Sequence, residues 1–329
     1  MIEMRSIVTN RTVRLCLVTL VSLAAQWPQV HACAVPVFRY ALERWESDPF
    51  LLAVFYRGKL DAALDKQLTD LEPILANNAG SRANWKITRI NVDQPIPPLW
   101  RDVWNKQSKL ELPSAALCTP EWRKGDDALW SGKINTETLN TLIDSPKRRE
   151  LLAHALKGTA VIWLLVETND KAKSEALARQ ISEASARLVN EILIPAGIGK
   201  DGVDVRSPLP VEVSFATVRV SQNDPSESML LRLLNNGEAF KEPTLVPVFG
   251  RARALAAMPG STVTNELLSE TARFICGACS CQVKAQNPGF DLLLKADWET
   301  IFADQPPPPV ERKTDPPLKP VYVPIPSKK

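Results

Sequence analysis

The chain has 329 residues, 45% of them hydrophobic, with 40 lysines and arginines against 37 aspartates and glutamates for a formal net charge of +3. That near-balance removes the electrostatic motive for nucleic-acid binding, and the length is long for one hydrophobic core, so two domains are expected. With only His31 and His154 present, histidine-rich metal centres and most histidine-based nucleophilic triads are excluded.

Residues 1–32 read as a signal peptide: Arg5, Arg11 and Arg14 precede an apolar run at 15–25, and Val30-His31-Ala32 offers a cleavage site. That run is too short to cross roughly 30 Å of hydrocarbon, which takes about 20 residues. Loss of the leader lowers the formal charge to about +1. Cys33 would then be the first mature residue, where a bacterial lipoprotein carries its lipid, although His31 stands where a small residue is usual. Lipidation of Cys33 and plain secretion both stay open, and membrane association is expected only with the lipid. The expected location is the periplasm or outer envelope of a bacterium, with other envelope proteins as partners and no nucleic acid.

Residues 35–45 read as a helix that tolerates Pro36 in its first turn. A buried strand follows at 51–56, and Leu60, Leu64, Leu68, Leu71 and Leu75 recur at helical spacing before a second strand at 85–92. Strand, helix, strand with short connections implies a parallel pair. After an irregular segment at 95–98 come strands at 114–118 and 128–131 and a helix at 136–143. The order then repeats: helix 149–156, strand 160–166, helix 174–192, strand 211–220, helix 227–234, strands 244–249 and 253–258, helix 263–274. The expected architecture is α/β, with domains at 33–146 and 147–304 and a Pro-rich extended tail at 305–329. His154 reads as a structural helix position, the first-half tryptophans as packing, and Glu183 with Arg187 as a solvated i, i+4 pair.

This order resembles that of thioredoxin-like proteins. The resemblance implies two tandem thioredoxin-like domains with candidate cis-prolines at Pro113 and Pro243, each just before a third strand. One departure stands out. A thioredoxin oxidoreductase carries Cys-x-x-Cys where its central strand turns into a helix, because the helix N-terminus stabilises a thiolate. Here those turns read Tyr56-Arg57-Gly58-Lys59-Leu60 and Val166-Glu167-Thr168-Asn169-Asp170, without a cysteine. The chain also resembles secreted proteins of unknown function from planctomycete and verrucomicrobial bacteria, through the stretch from Cys33 to Trp45, Pro247-Val248-Phe249-Gly250-Arg251, and the run from Cys276 to Lys284 with Asn287-Pro288-Gly289. That resemblance implies compartment and architecture and brings no reaction.

Cys276-Gly277-Ala278-Cys279-Ser280-Cys281 is the candidate site. Three outcomes are open: a structural disulfide of Cys276 with Cys279 or Cys281; a soft-metal site for Zn or Cu built from the three thiolates, with Cys118 or Cys33 as a further ligand; or thiol exchange with one nucleophilic and one resolving thiol. The mature chain would hold five cysteines, so at least one stays unpaired within a monomer. Cys118, at the end of an apolar strand, reads as an inert buried thiol. No cofactor is expected under the leading reading, a non-enzymatic interaction or assembly factor of the cell envelope. The alternative is a thiol-disulfide oxidoreductase or a metal-handling protein using the cysteine run.

Overall fold

The computed structural model describes residues 35–72, 83–107, 109–122, 126–195, 198, 205–235, 237–278 and 283–298. The leader, Cys33, Cys279, Cys281 and the proline-rich tail lie outside the described residues.

The apolar run Phe50–Tyr56 forms β1, and its alternating side chains serve two different layers. Phe50, Leu52 and Val54 enter one core cluster, while Ala53 and Phe55 enter another on the opposite face. Helix α2, Ala62–Leu71, crosses to β2, Trp85–Asn91, which pairs parallel to β1 with Phe50 opposite Trp85. After irregular chain at 95–97, as expected, a 3-10 turn at Pro98–Trp100 runs into α3, Arg101–Gln107, which the sequence reading did not include. Its Trp100, Val103 and Gln107 are buried at helical spacing, and Pro97 and Pro98 stand before the helix or in its first turn, where a missing N–H costs nothing. Strand β3, Ser114–Cys118, runs antiparallel to β1, and β4, Trp130–Lys133, runs antiparallel to β3. Helix α4, Thr136–Ile143, closes the first lobe over the same face as α2.

Helix α5, Pro146–Leu156, leads into the second lobe. Here β5, Val161–Glu167, is linked by the long helix α6, Lys171–Glu191, to the parallel strand β6, Phe215–Ser221. Helix α7, Ser228–Asn235, precedes β7, Thr244–Phe249, which is antiparallel to β5. Strands β8, Arg253–Ala254, and β9, Met258–Pro259, both return along β7, and α8, Asn265–Cys276, follows. The strand orders β2-β1-β3-β4 and β6-β5-β7-β8, each with one parallel pair and an antiparallel third strand, are two copies of the thioredoxin fold.

The expected continuous strand at 253–258 is broken into β8 and β9. In an antiparallel ladder a residue's N–H and C=O face the same neighbour. Pro247 accepts from the Leu255 N–H at 2.9 Å but has no N–H to return, so the ladder lapses opposite it. On α6, Arg187 turns forward to Glu191 at 2.9 Å instead of back to Glu183.

The two lobes share one core. Leu52 and Val54 of the first sheet, Ile162, Leu164 and Val248 of the second, and leucines from α2, α4, α5 and α7 form a single buried cluster. The segment after α8 threads into it: β10, Phe290–Asp291, pairs with β8, and Leu292, Leu293, Leu294 and Trp298 are buried there. Asn84 of the first lobe holds this strap as a peptide group would, donating to Leu292 O at 3.1 Å and accepting from Leu294 N at 2.8 Å. The outer face of the second sheet is covered by α6, α8 and the N-terminal helix α1, Val37–Arg44. In chain order α1 opens the first half, yet it packs in space on the second sheet. Arg251, in the hairpin after β7, donates to Leu42 O at 2.8 Å and to Glu43 O, taking up carbonyls that the end of α1 leaves free.

Candidate functional site

In a thioredoxin fold the first place to look is the turn from the central strand into the following helix. In the first lobe that turn leaves β1 at Tyr56, directly across from Pro113, since Phe55 pairs with Ser114. The Leu112–Pro113 bond is cis, and no other described residue follows a cis bond. Pro243, expected as a second cis position, follows a trans bond. It is tied into a different turn, with Pro243 O accepting from Gly260 N at 2.7 Å and Glu242 gripping Ser261.

The turn opposite Pro113 carries charge in place of sulfur. Gly58, at φ +62°, lets the chain reverse there. Its N–H donates to the Asp93 carboxylate at 2.9 Å, which also takes Arg57 Nε at 3.2 Å. Asp61 then caps α2, accepting from Ala63 N and Leu64 N, both at 3.0 Å. The N–H groups that would stabilise a thiolate are thus committed to a resident carboxylate. In the second lobe Asp170 does the same for α6, accepting from Lys173 N at 3.0 Å, and that backbone donor holds its carboxyl below the usual range. Neither turn can carry out thiol exchange.

The sequence expectation grouped Cys276 with Cys279 and Cys281. Cys276 is the last residue of α8, fully buried among Phe38, Ile275 and their neighbours, and is not in a disulfide. Burial pushes its thiol up to about 12. Cys118 is also buried and free, on the outer face of the first sheet, where burial and then the Asp126 carboxylate push it up to about 12. At neutral pH roughly one molecule in 10⁵ would carry either thiolate, so neither is suited to act as nucleophile or ligand. Among the described residues no cluster of histidine, cysteine, aspartate or glutamate is arranged to hold a metal.

Sequence reading missed what surrounds the cysteine run. Val37 N donates to Gly277 O at 2.9 Å, and Pro36 bridges antiparallel to Ala278. The N-terminal segment therefore pairs with the first residues of the run, and the strap begins just beyond it: Lys284 reaches Glu46 O at 2.6 Å and ion-pairs with Asp48 and Asp291. Asp291, almost fully buried, also accepts from Asp48 N at 2.7 Å and pairs with Arg253 at 3.1 Å. A second buried network locks α1: Arg39 pairs with Glu43 at 2.7 Å, and both bond Ser207. The i, i+4 spacing of Arg39 and Glu43 is visible in sequence, but nothing local marks it as buried.

Strand order defines the class: a tandem thioredoxin-like protein whose two helix-start turns are occupied by aspartate caps. No protein-family model matches the sequence, and no curated protein matches it. Among solved structures, the chain is similar to the first two thioredoxin domains of Naumovozyma dairenensis Eps1p, at 12% identity over 75% of this chain and 98% of that one, with a TM-score of 0.23. It is also similar to the zinc-bound form of human ERp44, at 10% identity over 73% of this chain and 55% of that one, TM-score 0.20. Full-length ERdj5 matches at 10% identity over 88% of this chain and 33% of that one, TM-score 0.22. These scores carry no weight beyond the strand order, which defines the fold by itself.

Proposed function

We propose that this chain is an exported protein of the bacterial cell envelope, acting without catalysis as a protein-interaction or assembly factor. The observation that carries the reading is the replacement of the redox pair at both helix starts by the caps Asp61 and Asp170. The core shared by the lobes supports it, since a joint rigid body presents fixed surfaces to a partner. The leader-like residues 1–32 and the resemblance to secreted planctomycete and verrucomicrobial proteins support export. The test is photocrosslinking in the producing cell with a benzophenone amino acid placed at the exposed Leu99 and Leu193. A reproducible adduct to a defined envelope protein is the expected result; adducts no different from those of an unrelated exported protein refute the reading.

One observation favours a second reading, thiol exchange or soft-metal handling. Cys33 lies three residues before Pro36, and Cys279 and Cys281 lie one and three residues after Ala278. Cys276 points into the core, which leaves Cys33, Cys279 and Cys281 as the cysteines for this reading. In this reading Cys33, Cys279 and Cys281 form a disulfide with one spare thiol or bind Zn or Cu, unless Cys33 carries a lipid instead. Thiol counting by mass spectrometry with metal analysis decides: a reductant-labile bond or stoichiometric metal supports it, and a resistant, metal-free bond removes it.

A further inference from the structure

The seam between the lobes carries an open hollow of about 170 Å³, lined by Trp130 of β4, Thr138, Thr141 and Leu142 of α4, and Ser228, Met229 and Arg232 of α7. It shares no lining residue with either helix-start turn or with the cysteine run, and its chemistry is that of a receptor for an anion. Arg232 donates from Nη1 to Leu129 O at 3.1 Å, its one hydrogen bond among the described residues, and it makes no ion pair there. Arg232 and Ser228 are both exposed, so most of the five guanidinium N–H donors face solvent and are open to another acceptor. The nearest carboxylate in sequence, Glu227, is already committed, accepting from Ser145 Oγ at 2.6 Å and Lys147 N at 2.7 Å. The Ser228 hydroxyl makes no hydrogen bond among the described residues, which leaves a second donor at the rim.

The remaining walls are mixed: the Thr138 and Thr141 hydroxyls are already engaged with Asn135 Oδ1 and Thr138 O, and Trp130, Leu142 and Met229 supply apolar surface. Met229 is buried at the floor. The Trp130 indole lies back over its own strand because Gly132 has no side chain: a Cβ there would stand 2.8 Å from Trp130 Cζ2. A volume of this size takes a group of about five or six non-hydrogen atoms, given that a cavity of roughly 150 Å³ holds one benzene. A guanidinium with free donors favours a planar carboxylate over a neutral amide of the same shape, since the hydrogen bonds are charge-assisted and can be paired.

We propose that the seam hollow is a carboxylate site that takes an acidic side chain of a protein partner, the carboxylate on Arg232 and Ser228 and the methylenes against Trp130 and Met229. This rests on the interaction reading above. The probes are N-acetyl-glutamate α-amide and butyrate, with N-acetyl-glutamine α-amide and butyramide as neutral matches, titrated into the full chain while the Met229 methyl is followed by NMR. Ligands this small should bind at on the order of 1–10 mM. Saturable shifts with the glutamate derivative and butyrate, little effect of the amides, a loss of tenfold or more in Arg232→Met and a several-fold loss in Ser228→Ala are expected. Ser228→Ala removes only a rim hydroxyl, so it keeps the test decisive if Arg232→Met fails to fold. Equal responses to acid and amide, or unchanged binding in Ser228→Ala and in a folded Arg232→Met, overturn the site. A response to butyrate alone overturns the protein source and leaves a pocket for a free acid. An intact carboxylate response with failed photocrosslinking would sink the interaction reading instead, so the two failures are distinguishable.

Discussion

Replacing Gly250 with alanine should destabilise the protein through a helix more than 200 residues away in sequence. Gly250 sits in the hairpin between β7 and β8 at φ +59°, a conformation that costs an L side chain about 1–2 kcal/mol. A Cβ at this position would also stand 2.6 Å from Ala41 Cβ and 3.1 and 3.2 Å from Ala41 C and Leu42 N of α1. Two of those contacts are with helix backbone held by Arg251 on Leu42 O, and the third is a Cβ that cannot rotate away, so the helix must shift as a body. Overpacking of this kind adds about 1–3 kcal/mol, for a total of about 2–5 kcal/mol. With urea m-values of about 1–3 kcal/mol/M for small proteins, the midpoint should fall by about 1 M or more in equilibrium unfolding followed by circular dichroism. Ala41→Gly on its own should cost about 0.5–1 kcal/mol as a glycine in a helix. In the double variant it should recover part of the Gly250→Ala loss, because the shortest contact is gone while the strained φ and the backbone contacts remain. A Gly250→Ala cost below about 0.5 kcal/mol, or no coupling with Ala41, would refute the packing of α1 on the second sheet.

Four further outcomes are expected. Cys118 and Cys276 should resist thiol reagents at pH 8 in the native protein and react at once in denaturant; rapid native labelling of either, located by peptide mapping, would contradict their burial. Because both thiols are pushed up to about 12 when folded and ionise near 8.5 when unfolded, stability should fall between those values as pH rises, by up to about 1.4 kcal/mol per pH unit per thiol; replacing both cysteines with alanine should flatten that slope. At the acid end, Asp170 and Glu242 are held below the usual range, each chiefly by a backbone N–H, from Lys173 and Ser261 respectively. Their stabilisation is present above the unfolded value near 4 and lost as pH falls through the lowered folded value, so Asp170→Asn should reduce the drop in melting temperature on acidification, and an unchanged profile would refute the assignment. Arg148, fully buried at the seam with its pKa lowered to about 10 by burial, holds Leu142 O at 2.7 Å and Thr141 O at 2.8 Å. Arg148→Met should cost about 3 kcal/mol through those orphaned carbonyls, measured by urea unfolding, and a loss below about 1 kcal/mol would show that the seam does not depend on it.

The local pattern in the sequence determined a good deal. Alternation and helical spacing placed Ser114–Cys118, Thr136–Ile143 and Thr244–Phe249 to the residue, and the absence of cysteine after β1 and β5 was readable without coordinates. Those features depend on residues close together in the chain, where periodicity reports directly on burial. The irregular chain read at 95–98 is there at 95–97, but the helix that follows at Arg101–Gln107 was not read, because only the sheet behind Trp100 and Val103 selects it.

The rest was decided by packing between distant segments. A helix cannot signal which of two sheets it will cover, since either offers an apolar face; the fit of Ala41 against Gly250 and the reach of Arg251 settle α1 on the second. The strap from 290 to 298 shows little periodicity because most of it, Asp291 to Leu294 in an unbroken run, is buried between the lobes, and Asn84 is what holds its backbone. Cys276 carries the same side chain as Cys279 and Cys281, and the three could be told apart only by where α8 ends: that placement sends Cys276 into the core, where desolvation keeps its thiol protonated.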